Sequence, residues 1–200
     1  YTGGAQPAIP VIKVKAVTTR KNPIMQSCIG PSEEHVSMAG IPTEASIISM
    51  VNRAMPGKLK NVYCASSGGG KYIAVLQFVK SVPSDEGRQR QAALLAFSAF
   101  SELKHVFLVD EDVDCFDIKD VMWAMTTRFQ ADVDMIPIPG VRCHPLDPSN
   151  DPANSPSIRD HGIACKAIFD CTVPFAEKDR FHRSKFKELD PSHWVPELFK

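Results

Sequence analysis

An acidic stretch at residues 109–117, Val-Asp-Glu-Asp-Val-Asp-Cys-Phe-Asp, has the residue types of a metal site. Five carboxylates fall within eight positions, and carboxylate oxygens are ligands that calcium and magnesium prefer. The calcium loop of EF-hand proteins also needs Gly at its sixth position and Glu at its twelfth. Counted from Asp110, these positions hold Cys115 and Val121, so the stretch does not fit that loop.

The same stretch fits an acidic turn between a buried strand and a helix. Residues 105–109 form a short apolar run, which is typical of a central strand covered on both faces. Asp117 is a residue type preferred at a helix N-terminus, and Asp120 follows three positions later. The helix dipole stabilises carboxylates near that terminus, each by roughly 0.3–1 kcal/mol. The sequence therefore favours a structural turn, with a metal site as the alternative.

Two histidines are further candidates for chemistry. His35 follows Glu33 and Glu34, and such a run is typical of a solvated first helical turn. His144 lies in a segment with six prolines between residues 137 and 156. Long loops in compact domains are often functional, and imidazole titrates near neutral pH. His144 therefore either lines a pocket or holds this loop in place.

A glycine-rich loop, Ser-Ser-Gly-Gly-Gly at residues 66–70, is followed by Lys71 and so ends like a phosphate-binding loop. That motif needs Gly five positions before Gly70 and Ser or Thr after the Lys. Ala65 and Tyr72 occupy these two positions. The stretch is therefore interpreted as a hairpin connection.

Composition argues against several classes of protein. Lys and Arg together number 23, as do Asp and Glu, so there is no net charge to attract nucleic acid or an anionic membrane. No apolar run reaches the roughly 18 residues of a membrane span. The six cysteines include no Cys-x-x-Cys pair, the usual spacing of a zinc site. We interpret them as reduced thiols of a cytoplasmic protein.

Hydrophobic periodicity predicts helices that alternate with strands, which is the pattern of an α/β fold. The predicted strands are residues 11–20, 61–65, 71–80, 105–110, 133–140 and 164–174. The predicted helices are a segment capped by Thr43 and stopped by Pro56-Gly57, then residues 89–103 and 117–128. In the last of these, we expect Val121, Met122, Ala124 and Met125 to face inward.

Three segments together resemble the UbiD family of decarboxylases, whose cofactor is prenylated FMN. The first is residues 17–40, which begin Val-Thr-Thr-Arg-Lys-Asn-Pro-Ile, and the second is the strand, acidic turn and helix at 104–128. The third is Ile-Pro-Ile-Pro-Gly-Val-Arg-Cys-His-Pro-Leu-Asp-Pro-Ser at 136–149, followed by Lys-Ala-Ile-Phe-Asp-Cys-Thr-Val-Pro at 166–174. Each match is weak alone, but the segments occur in the same order as in the family, and together they span nearly the whole chain. In that family the acidic turn is structural.

The resemblance implies a mixed sheet with helices on both faces, preceded by a strand of an upstream flavin-binding domain. Residues 1–30 are then the end of that split-barrel domain and a connection, and residues 31–200 are a C-terminal α/β domain with an oligomerisation tail. The family's catalytic acids and its ligands for metal and flavin match positions before Tyr1. The resemblance therefore implies that prenylated FMN, Mn2+ and K+ belong to the intact enzyme, and that this chain alone holds none of them and is inactive.

The resemblance also assigns roles within the chain. Glu34, His144 and Leu146 match places that line the substrate pocket, and Arg128 matches an Arg near a monovalent-cation site. A polar His144 suits an aromatic acid with a hydrogen-bonding ring group, such as a phenol. The expected partners are the upstream domain, a small aromatic acid and further copies of the chain.

The tail is the expected contact with those copies, because it is rich in large apolar residues: Phe181, Phe186, Trp194, Leu198 and Phe199. Packing of the tail on its own domain is the alternative. A second reading of the whole chain is a non-catalytic interaction or nucleotide-binding module, which would need a glycine-rich turn between strand and helix.

Overall fold

The computed structural model describes residues 10–30, 32–144, 147–150, 163–184 and 189–199. Its strands are β1 (Leu59–Cys64), β2 (Ile73–Phe78), β3 (His105–Val109), β4 (Met135–Arg142) and β5 (Ile163–Asp170). Its α-helices are α1 (Glu33–Ala54), α2 (Arg88–Ala99), α3 (Ile118–Arg128), and the four-residue α4 (Ala131–Asp134) and α5 (Pro191–Trp194). The predicted α/β class is confirmed.

The five strands form one mixed sheet in the order β1-β2-β3-β5-β4. Strands β2, β3 and β5 run parallel, and the outer strands β1 and β4 are antiparallel to their neighbours. We call the side where the three parallel strands begin the amino end of the sheet, and the side where they stop the carboxyl end. Pro137 and Pro139 lie in the outer strand β4, where a missing backbone donor is tolerated.

Helices cover both faces of the sheet, as the resemblance implies. Helices α1 and α2 bury one core, which contains Ile47, Val51, Leu76, Phe78, Ala92, Ala96, Val106, Leu108 and Ile168. Helix α3 buries the other, which contains Val75, Val109, Val113, Val121, Ala124 and Cys171. Strand β3 contributes to both cores, so the prediction of a central strand at residues 105–109 is confirmed.

Helix α1 begins about ten residues earlier than the Thr43 cap predicts. Ser32 is the N-cap, and its hydroxyl accepts a hydrogen bond from the His35 amide at 3.3 Å. Pro42 lies inside the helix, where it is exposed and leaves only one backbone bond unmade. The Thr43 hydroxyl instead donates to the Ala39 carbonyl within the helix. The predicted first turn at Glu33-Glu34-His35 and the stop before Pro56 are confirmed.

Other differences are local. Helix α2 ends at Ala99 rather than at residue 103. Met122 is 43% exposed rather than buried, because α3 presents a narrow apolar face to the sheet. Residues 11–20, which were predicted to be a strand, form no strand within the described chain. Their membership of an upstream domain, and the domain boundary at residue 30, stay predictions.

Candidate functional site

The carboxyl end of the sheet carries a cleft of about 670 Å³ beside the acidic turn. Its walls come from the turn, from the end of α3 and from the segment that follows β5: Asp110, Glu111, Asp112, Arg128, Val173, Lys178, Phe181, His182, Arg183 and Ser184. Ligands of open α/β sheets commonly bind at this end. The contacts of each charged group decide whether this cleft is such a site.

Arg128 ties the acidic turn to α3. Its guanidinium, 2% exposed, contacts both carboxylate oxygens of Asp112 at 2.9 and 2.6 Å and one oxygen of Asp110 at 3.2 Å. The same Asp110 oxygen accepts a 2.6 Å bond from the Val173 amide, so it also fixes the chain after β5. Burial raises the pKa of Asp110. Burial alone would also raise the pKa of Asp112, but the Arg128 guanidinium outweighs it, and this pKa lies below its usual value.

Arg183 ties the same turn to the segment after β5. It donates to the Asp120 carboxylate and to the Asp112 carbonyl, and it lies 3.9 Å above the ring of Trp123. The bond from Arg183 lowers the pKa of Asp120. Arg128 lies over the same ring at 5.0 Å, so two guanidiniums pack on one indole.

Most carboxylates of the acidic turn therefore make structural contacts. Asp117 caps α3 by accepting from the Lys119 amide, as predicted. Asp120 accepts from the Asp114 amide rather than completing a capping box with Asp117. Within the described residues, no three His, Cys, Asp or Glu side chains are arranged to hold a metal ion. These contacts favour the structural turn over the metal site.

The amino end of the sheet carries His144, just after β4. The side chain is 8% exposed, and its Nε2 atom lies 3.2 Å from a carboxylate oxygen of Glu102. Its ring meets that of Tyr72 edge-on, with 5.3 Å between ring centroids. Burial lowers the pKa of His144, and the nearby Lys71 acts in the same direction, while Glu102 and Asp147 oppose them. The ring is therefore neutral at pH 7.

The loop that follows His144 is attached to the segment before β3 at a second point. Lys104 pairs with the buried Asp147 at 2.7 Å and donates to the Ser149 hydroxyl at 2.6 Å. Within the loop, the Asp147 amide and the Asn150 side chain both donate to the His144 carbonyl. Glu102 and Lys104 thus hold this loop at two points, by the contact with the His144 ring and by the ion pair with Asp147.

The sequence-predicted site residues do not all fall in one place. Glu34 is exposed in the first turn of α1. That helix reaches the amino end of the sheet, because its Val36 and Gly40 backbone lies against Gly70, shortly before β2. Leu146 lies outside the described residues. Arg128 belongs to the opposite end of the sheet, and a cation site near it stays a prediction.

Sequence reasoning missed Glu102, Lys104 and Tyr72. Glu102 was assigned to the end of a helix and Lys104 lay just beyond it, yet both lie past α2 in an irregular connection. Their one sequence signal is the presence of opposite charges at positions 102 and 104. Their partners follow β4, so no local pattern identifies them.

Comparison with known families identifies the chain. The profile of the 3-octaprenyl-4-hydroxybenzoate carboxy-lyase C-terminal domain, that of UbiD, matches residues 36–171. The chain belongs to the UbiD family. The resemblance drawn from the sequence is confirmed.

Relatives of this UbiD chain include enzymes of phenolic acids. It is 62% identical over 190 residues to a gallate decarboxylase of Lactiplantibacillus plantarum, covering 94% of this chain and 39% of that protein. A 3,4-dihydroxybenzoic acid decarboxylase structure from Klebsiella pneumoniae is 57% identical, with a TM-score of 0.81 over 90% of this chain and 37% of that one. The UbiD-class enzyme HmfF of Pelotomaculum thermopropionicum, solved with FMN, is 33% identical, with a TM-score of 0.74 over 86% of this chain and 36% of that one.

The UbiD chain spans less than two fifths of the length of the gallate decarboxylase that it matches. Among the described residues no three His, Cys, Asp or Glu side chains are arranged for a metal ion, and the loop that most resembles a phosphate site for a flavin is closed. The glycine-rich loop at 66–70 is no open phosphate cradle, because a Cβ atom on Gly70 would lie 2.5 Å from the Val36 carbonyl of α1. The glycine permits close packing against a helix.

Proposed function

We propose that this chain is the C-terminal part of a UbiD-like, non-oxidative decarboxylase of phenolic or other (hetero)aromatic acids. The observation that carries the proposal is the high identity to two polyhydroxybenzoate decarboxylases, 62% and 57%, against 33% to HmfF. The fold supports it, since the chain matches the 3,4-dihydroxybenzoic acid decarboxylase structure with a TM-score of 0.81 over 90% of its length. The protein acts as a lyase that removes a carboxylate as CO2.

In this proposal the chemistry belongs to parts of the enzyme outside the described chain. Prenylated FMN, Mn2+ and K+ are held there, together with the acid that supplies the proton. When bound, the flavin accepts electrons as the carboxylate leaves, and the protein orients the substrate. The 200-residue chain contributes one wall of the pocket and is inactive alone.

The wall is the amino end of the sheet, where the first turn of α1 and the loop after β4 lie. His144 is its polar group. Its burial against Tyr72 and Glu102 supports a ring held in one place, which suits discrimination by hydrogen bonding. The same contacts also support the simpler role of holding the loop, so the substrate profile must separate the two.

Assembly is the second proposed contribution. In the described tail, Trp194 is 70% exposed and Leu198 is 76% exposed. Phe181 is 42% exposed, and the side chains of Phe186 and Phe199 lie outside the described residues. Such apolar exposure supports docking on a second copy in the cytoplasm. Along the described chain no helix has the length and hydropathy needed to cross a bilayer.

The test uses the intact enzyme that contains this chain, supplied with prenylated FMN and Mn2+. Gallate, 3,4-dihydroxybenzoate and cinnamate are offered, and CO2 release is measured. We expect turnover of the two phenolic acids, and none from the 200-residue chain alone under the same conditions. His144→Phe in the intact enzyme should shift preference toward cinnamate. No CO2 from any phenolic acid would contradict the function, and an unchanged profile in the variant would contradict the role of His144.

The alternative of a nucleotide-binding module has less support. Of the loops that the structure describes, none is a glycine-rich turn leading from a strand into a helix with the dinucleotide spacing. Binding of nucleotide by the chain, measured by calorimetry, would favour it.

A further inference from the structure

Glu102 lies in the short connection between α2 and β3, with its side chain 31% exposed. The main chain on both sides of it is held by one buried cation. The Lys166 ammonium donates to the carbonyls of Ser101 and Leu103, each at 2.5 Å. The position of Glu102 is therefore fixed from within the domain.

The next residues in the connection are fixed to the sheet. The amides of Lys104 and His105 both donate to the Tyr72 carbonyl, at 3.0 and 2.8 Å, and the Lys104 carbonyl accepts from the Ala167 amide. Tyr72 is the residue whose ring meets His144 edge-on. The same tyrosine therefore packs on the imidazole and anchors the start of β3, three residues after Glu102.

A carboxylate at 3.2 Å from an imidazole nitrogen does two things. It favours the proton on that nitrogen, and so helps to hold the ring in one orientation. It also makes the ring more basic, against the opposing effects of burial and of Lys71. Asp147 acts on the pKa of His144 in the same direction as Glu102, but the charge of Asp147 is already paired with Lys104.

We propose that Glu102 is a positioning residue that sets the orientation and the basicity of His144, and through it the preference of the enzyme for acids with a phenolic hydroxyl. This inference rests on the proposed function for its substrate. The pairing itself does not, because it is a property of the described chain. A more basic imidazole is a better partner for a phenol, and it offers nothing to a ring without a hydroxyl.

The first experiment measures the pKa of His144 by NMR titration of the 200-residue chain. Glu102→Gln keeps the size of the side chain and its ability to accept a hydrogen bond, but removes its charge. We expect the pKa of His144 to fall by about one unit in this variant. Glu102→Asp keeps the charge and should restore part of the difference. Glu111→Gln removes an exposed carboxylate at the opposite end of the sheet, and should leave the titration unchanged.

These variants separate electrostatic positioning from simple support of the loop. The contact between the rings of His144 and Tyr72, followed by nuclear Overhauser effects, should persist in Glu102→Gln. An unchanged pKa of His144 would overturn the proposal. Loss of the ring contact in that variant, with no recovery in Glu102→Asp, would also overturn it, since Glu102 would then only support the loop.

The second experiment carries Glu102→Gln into the intact enzyme. We expect the ratio of kcat/KM for 3,4-dihydroxybenzoate to that for cinnamate to fall by up to about tenfold, the equivalent of one pKa unit. An unchanged ratio in an active enzyme would overturn the specificity role. If the unsubstituted enzyme releases no CO2 from either acid, the proposed function fails, whereas the titration still decides the pairing.

Discussion

The two ends of the sheet both carry charged groups but use them differently. At the carboxyl end, Asp110, Asp112 and Asp120 are paired with Arg128 and Arg183, and the pairs join the turn, α3 and the segment after β5. At the amino end, a neutral histidine with a lowered pKa lies beside a half-exposed carboxylate. The densest cluster of carboxylates therefore has a structural role here, while the amino end keeps a histidine whose protonation can respond to a ligand.

The largest effect on stability should follow from removing the buried ion pairs at the carboxyl end of the sheet. Arg128→Ala leaves the buried Asp110 without its cation, and such a loss commonly costs about 3 kcal/mol. We expect a decrease of this size in the free energy of unfolding, measured by urea titration. Arg180→Ala is the control, because Arg180 pairs with Glu177 while 78% exposed, and exposed pairs contribute roughly 0–1 kcal/mol. Equal effects of the two changes would show that the buried Arg128 pairs stabilise the fold no more than an exposed ion pair does.

A smaller effect should follow from releasing the segment after β5. Arg183→Ala removes the pairing with Asp120 and the packing on Trp123, together worth about 1 kcal/mol because the pair is partly exposed. Hydrogen exchange of residues 175–184 should speed up, and the fluorescence of Trp123 should change. Protection should stay the same at the amino end, in residues 102–105. Faster exchange there as well would mean that the two ends are not independent.

The last effect depends on pH and concerns the amino end. Burial lowers the pKa of Lys166 to about 8 from its ordinary 10.5. Between these values the unfolded chain binds more protons than the folded one, so this residue makes stability rise with pH over that interval. Lys166→Met should remove that rise, as shown by urea unfolding at pH 7.5, 9 and 10.5. The same slope in both proteins would show that Lys166 is charged in the fold.

Much of the fold follows from local patterns. The strands at β1, β2, β3 and β5, the cap at Asp117 and the stop at Pro56-Gly57 all depend on residues adjacent in sequence. The full length of α1 was harder to predict, because Ser32 and Thr43 are both cap residue types and the first turn at Glu33-Glu34-His35 was not joined to the later helix. In the structure Gly40, within the longer helix, packs against Cys64 and Gly70.

The candidate site was predictable only in part. His144 was found because a histidine among prolines is unusual, and Arg128 because of family resemblance. Glu102 and Lys104 carry no pattern that connects them to the loop after β4. The pairing of Arg183 with Asp120 joins residues 63 apart in the chain.

The sequence by itself determined the class of fold, the structural role of Asp117 and the membership of the UbiD family, because capping, periodicity and motif order are properties of neighbouring residues. Only the tertiary structure decided which charged groups are held in ion pairs and which can still change protonation or bind a ligand. The physical reason is that an ion pair or a pKa depends on burial and on partners that distant segments bring within a few ångströms.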